Sequence, residues 1–170
     1  ARYSIAKPLQ RLDAVTEIKK ADDIVARLSE GERVVFVSDA GTPGVSDPGL
    51  ELVSRVREVF GDTITIESIP GASALPAAIS ISGLKTPSFT FYGFLPHKKG
   101  REKMIKEICQ SERASIFFES PHRIMKALEM LKTFLPEGRR MGLFRELTKL
   151  HEEALIGSAH ELLTILETNP

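Results

Sequence analysis

At 170 residues, with 42% hydrophobic and 27% charged side chains, the chain has room for one ordinary domain or two small ones, which excludes a mini-protein, a fibre and a disordered tail. Lysine plus arginine and aspartate plus glutamate both number 23, so the whole-chain charge gives no footprint of a simple nucleic-acid-binding module; five basic residues do lie between His97 and Lys106. One cysteine, Cys109, rules out an internal disulfide and a cysteine metal cluster. With no apolar run of bilayer-spanning length and no signal core at the N-terminus, a cytoplasmic protein is expected.

From Thr16 to Leu28, Ile18, Ala21, Ile24, Val25 and Leu28 recur at helical spacing, and Gly31 is the stop signal. Arg33 to Val37, RVVFV, is a short apolar run that suits a strand buried on both faces of a parallel sheet. A loop rich in Gly, Pro, Ser and Asp follows from Ser38 to Gly49, then a helical pattern through Leu52, Val53, Val56 and Val59. Thr63 to Ile69 reads as a second strand, and the turn at Pro70 and Gly71 feeds a helix of small residues from Ala74 through Ile81 to Gly83. Such β-loop-α alternation predicts a parallel α/β sheet with ligands at the C-terminal strand ends.

The pattern breaks between Lys85 and Ser88, which predicts two α/β domains, residues 1–86 and 87–170, with a ligand cleft between them. The second domain is expected to hold a strand near Phe89 to Tyr92, a helix from about Gly100 to Cys109 and a strand from Ala114 to Phe118. A helix from Pro121 to Leu135, a strand near Met141 to Phe144 and a helix from Ala159 to Leu166 follow.

The run SDAGTPGVSDPG, Ser38 to Gly49, brings exposed backbone to the end of a buried strand, where a ligand can approach closely; it also reads as a plain strand-to-helix turn in which Ser46 or Asp47 caps the next helix. Its glycine spacing matches neither the dinucleotide fingerprint nor the phosphate loop, which disfavours NAD and ATP. His122 is either a general base or a helix-start residue beside Pro121, and HKKGREK, His97 to Lys103, is either a phosphate-contacting face or a solvated loop. The four histidines are scattered without metal-ligand spacing, so no metal is expected.

Taken together, SDAGTPGVSDPG, IPGASA from Ile69, SGL from Ser82, GFLP from Gly93, FFESPHR from Phe117 and RELTK from Arg145 resemble, in order, the ribosomal RNA small subunit methyltransferase I family of class III, tetrapyrrole-methylase-like methyltransferases. The resemblance implies S-adenosylmethionine as cofactor, and a reaction that methylates a cytidine ribose 2'-hydroxyl in 16S rRNA. Free small-subunit rRNA or the assembled 30S subunit would be the partner, and the protein would be a homodimer. By position, Ala40, Gly41, Thr42, Val45, Ser73, Ala74, Phe118, Glu119 and Leu147 would line the cofactor. Glu119 or His122 would take the hydroxyl proton. Lys98, Lys99, Arg101, Arg123, Arg145 and Lys149 would face RNA, although Arg145 and Glu146 also suit plain ion pairs.

That family opens with a strand and a TPIGN-like loop, then an acidic EDTR-like motif, and it carries an HEHN-like segment where this chain reads ARYSIAKPLQRLDAV. It finishes with a strand containing Gly-Glu, whereas this chain stops at Pro170. The comparison implies a first domain without its initial strand. A methylase of tetrapyrrole ring carbons and a noncatalytic binding domain are the alternative functions.

Overall fold

The computed structural model describes residues 6–13, 15–85 and 88–169. The chain divides into two compact units, Ala1–Ala72 and Ser73–Pro170. The sequence placed the boundary at Thr86 and Pro87, which lie outside the described residues.

In the first unit, helices α1 (Glu17–Ser29) and α2 (Leu50–Phe60) pack on each other. Ala21 and Ile24 from α1 meet Leu52 and Val56 from α2, with Leu28, Phe60 and Ile64 at the margin. The two strands predicted here are not in a ladder: neither 33–37 nor 63–69 pairs with another segment among the described residues. Val35 is 84%, Val37 69% and Ile69 78% exposed. A strand exists only as half of a pair, because its N–H and C=O groups need a neighbour, and an apolar run states burial without naming that neighbour.

The second unit carries the α/β architecture. Helix α3 (Ala74–Ile81) opens it, and strand β1 (Phe89–Phe94) runs parallel to β2 (Ala114–Phe118), with Phe89 opposite Ala114 and Phe91 opposite Ile116. Parallel partners require a crossover, and helix α4 (Arg101–Gln110) supplies it. Helix α5 (Pro121–Phe134) leads to an antiparallel pair, β3 (Met141–Arg145) and β4 (Glu153–Gly157), and α6 (Ala159–Thr168) ends the unit. Leu95 joins Ile105, Ile108 and Cys109 of α4, Ala127, Leu128 and Leu131 of α5, and Leu162, Leu163 and Leu166 of α6 in one core. Burial pushes the Cys109 thiol up from its ordinary pKa, which suits an unreactive packing residue.

Local chemistry sets the element ends. Pro121 stands in the first turn of α5, where its missing N–H costs nothing. Ser158 and Glu161 form a reciprocal capping box on α6. No helix among the described residues is long and apolar enough to cross a membrane.

Candidate functional site

The Ser38–Gly49 loop is a chain of tight turns. Gly41, Gly44 and Gly49 have positive φ, and so does Ser46 at 59°. The Ser38 hydroxyl donates to the Asp47 carboxylate, and the Gly44 N–H donates to the Pro48 carbonyl at 3.1 Å, closing the base. Toward the apex the main chain is open: the Gly41 and Thr42 N–H groups have no hydrogen-bond partner among the described residues. A Cβ added at Gly41 would meet nothing within 4 Å. Unspent backbone donors beside a glycine with open space on its Cβ side suit a ligand that approaches the main chain closely.

The end of this loop is held by a residue that sequence reasoning missed. Neither Ser46 nor Asp47 caps α2; instead the Glu17 carboxylate accepts the N–H of Gly49 at 2.7 Å and of Leu52 at 3.2 Å. Glu17 is buried in the first turn of α1, in register with Ala21 and Ile24 on the face toward α2. A carboxylate there satisfies donors that a helix start leaves open and complements its partial positive charge. Glu17→Ala leaves both buried N–H groups unpaired and is expected to cost about 1–3 kcal/mol in urea unfolding, with Glu17→Gln, which keeps an oxygen acceptor, costing clearly less. Equal losses in the two variants would contradict this capping role.

In the second unit, Ser73 is the N-cap residue of α3, yet its hydroxyl makes no hydrogen bond among the described residues; Ala74 beside it is exposed. Phe118 packs edge-on to Phe91 at 5.0 Å and tilted to Phe94 at 5.5 Å, which fixes the end of β2. Leu147 is half-buried between two non-glycine residues in left-handed backbone, Glu146 at φ 52° and Thr148 at φ 68°. Backbone of this kind is strained by about 1–3 kcal/mol per residue and clusters at ligand-binding turns. The Thr148 N–H donates to the Glu152 carboxylate and the Lys149 N–H to the Glu146 carbonyl, so the turn is pinned from both sides.

The polar residues separate into two groups. Lys98, Lys99 and His122 are exposed, and no hydrogen bond engages the His122 ring among the described residues. Arg145 pairs with Glu153 across the β3–β4 ladder, and the Lys149 ammonium lies 3.1 Å from Glu146 in an exposed pair. Glu119, Arg101 and Arg123 are turned inward. The Glu119 side chain is 2% exposed, with Oε2 2.7 Å from Arg101 Nη1 and Oε1 2.6 Å from Arg123 Nη2; Arg101 is 6% and Arg123 20% exposed. The expectation that Arg101 faces RNA meets a guanidinium sealed from solvent, and the expectation that Glu119 takes a proton meets a carboxylate with an arginine on each oxygen.

Residues 3–163 match the model of the tetrapyrrole (corrin/porphyrin) methylases, and the chain belongs to that family. Within it the chain is similar to the ribosomal RNA small subunit methyltransferase I of Thermotoga maritima, 37% identical over 98% of this chain and 73% of the relative. The protein of that name from Synechocystis is 41% identical over 88% of this chain and 53% of the relative, so the chain spans between about half and three-quarters of these proteins. Among solved structures, the methyltransferase CobJ superposes with a TM-score of 0.63 at 24% identity, over 94% of this chain and 72% of that one. That likeness carries the α/β fold.

Proposed function

We propose that this protein methylates the ribose 2'-hydroxyl of a cytidine in 16S rRNA, free or in the assembled small subunit, using S-adenosylmethionine and working as a cytoplasmic homodimer. What supports the reading above all is the similarity, along nearly the whole chain, to proteins named for methylating small-subunit ribosomal RNA. Family membership supports the cofactor, and the open Gly41–Thr42 backbone and the uncommitted Ser73 hydroxyl suit its polar groups.

S-adenosylmethionine, when bound, supplies an electrophilic methyl on a positively charged sulfur. The main chain from Ala40 to Val45, the Ser73 and Ala74 turn, Phe118 and the Leu147 backbone between Glu146 and Thr148 are the groups assigned to hold it. Lys98 and Lys99, exposed beside the GFLP turn, are assigned to RNA phosphates, with Lys149 and Arg145 adding to them once released from their glutamate partners. With cofactor and ribose in place, an imidazole nitrogen of His122 would accept the hydroxyl proton late in the transfer. Glu119 is not assigned that task, because both its oxygens are occupied.

The test is incubation of the full-length protein with methyl-labelled S-adenosylmethionine and purified small ribosomal subunits. Digestion of the rRNA is expected to release labelled 2'-O-methylcytidine. Label on a base, or on a tetrapyrrole acceptor in place of RNA, would overturn the assignment.

A further inference from the structure

The Glu119 carboxylate, at the end of β2, joins the first turns of α4 and α5 through Arg101 and Arg123. Neither arginine stops at the carboxylate. Arg101 Nη1 also donates to the Pro96 carbonyl at 3.2 Å, and its Nη2 to the Arg123 carbonyl at 3.4 Å. Arg123 Nη1 donates to the Leu95 carbonyl at 3.1 Å and its Nε to the Ser120 hydroxyl at 3.2 Å. Two successive carbonyls of the GFLP turn, just ahead of His97, Lys98 and Lys99, are therefore tied to one carboxylate. The Ser120 turn just ahead of His122 is tied to the same group.

This is an expensive arrangement for stability alone. Desolvating three charges can exceed what their attraction returns, and a buried ionic cluster is more readily understood as fixing one geometry. The planar arginine fork suits that role, since it fixes the directions of several bonds at once where a lysine would hold one point. Among the described residues Arg101 Nε and Glu119 Oε2 have no hydrogen-bond partner, Oε2 being held by the ion-pair contact.

We propose that Glu119, Arg101 and Arg123 are positioning residues that hold the 95–99 turn so that Lys98 and Lys99 present their charges to RNA phosphates, and that neither arginine touches RNA. The inference rests on the RNA-methylating reading above. Phosphate-contacting cations act on affinity directly, whereas a positioning residue acts only through the cations it places, and a double-mutant cycle separates the two.

The experiment measures affinity of the full-length protein for purified small subunits at several salt concentrations. The variants are Arg101→Lys, the pair Lys98→Ala with Lys99→Ala, and all three changes together. Cofactor affinity and thermal unfolding verify the fold, and Glu119→Gln replaces Arg101→Lys if the latter does not fold. Removing both lysines is expected to lower the salt slope by roughly one and a half to two and to weaken binding by on the order of tenfold or more. Arg101→Lys is expected to weaken binding in the parent, but to have little further effect once the lysines are gone. An equal loss in both backgrounds would overturn the positioning role while leaving the RNA reading in place. No salt-dependent binding by the unmodified protein would overturn the RNA reading itself.

Discussion

Glu119→Ala is expected to destabilise the second unit by about 3–5 kcal/mol, because it leaves the buried Arg101 and the largely buried Arg123 without their counter-charge. Native stability is only about 5–15 kcal/mol for a typical protein, so such a loss would remove a large share of it. The measurement is the urea unfolding midpoint. The interpretation depends on burial: the exposed pairs, such as Lys106 with Glu102, occupy water-rich surroundings and are worth about 0–1 kcal/mol each. Glu102→Ala therefore serves as the control. A loss at Glu119 as small as that at Glu102 would show that the cluster is solvated and would remove the physical basis for the clamp.

The second large effect is at the loop apex. Gly41→Val places a branched side chain on the open face of the loop, at a residue with φ of 71°. It is expected to weaken S-adenosylmethionine binding by on the order of 100-fold, equivalent to about 2.7 kcal/mol, because close approach to the main chain is lost. Backbone strain alone accounts for about 1–2 kcal/mol of folding stability at a left-handed residue. Gly31→Val is the matched control: Gly31 has φ of 83° and open space around its Cβ direction, but it follows α1 and is not part of the loop. Urea unfolding of both variants should give similar penalties, and titration calorimetry a loss of cofactor binding at Gly41 alone. Equal cofactor affinities in the two would overturn the assignment of the loop.

Much of this was legible in the sequence, for identifiable reasons. The helices announced themselves through apolar residues at three- and four-residue spacing, and β1, β2 and β3 through short apolar runs bounded by turns. Strand β4 was missed because EALIG carries little strand signal; its register, with Leu155 opposite Leu143 and Glu153 opposite Arg145, is set by β3. The same dependence on a partner explains the segments RVVFV and TITIESI, which read as strands and have no ladder partner among the described residues.

The glycine-rich loop was legible because backbone conformation selects glycine, and its clasp was not, because Glu17 lies far away in sequence. Nor does a run of charges such as HKKGREK show which members turn inward. One signal was present and went unused. Glu17 is four residues before Ala21, Arg101 four before Ile105, and Arg123 four before Ala127, each in a first helical turn and aligned with the buried stripe of its own helix. A charge in that register points toward the core and needs a buried partner, which is what the structure provides in all three cases.

Where the cofactor is gripped can be observed directly, by amide hydrogen exchange in the full-length protein with and without S-adenosylmethionine. Slowed exchange at Gly41, Thr42, Ser73, Ala74 and Leu147, with the exposed α4 surface unchanged, is the predicted pattern. Protection confined to other segments, in a protein that still transfers methyl groups, would contradict the proposed assignment of these residues.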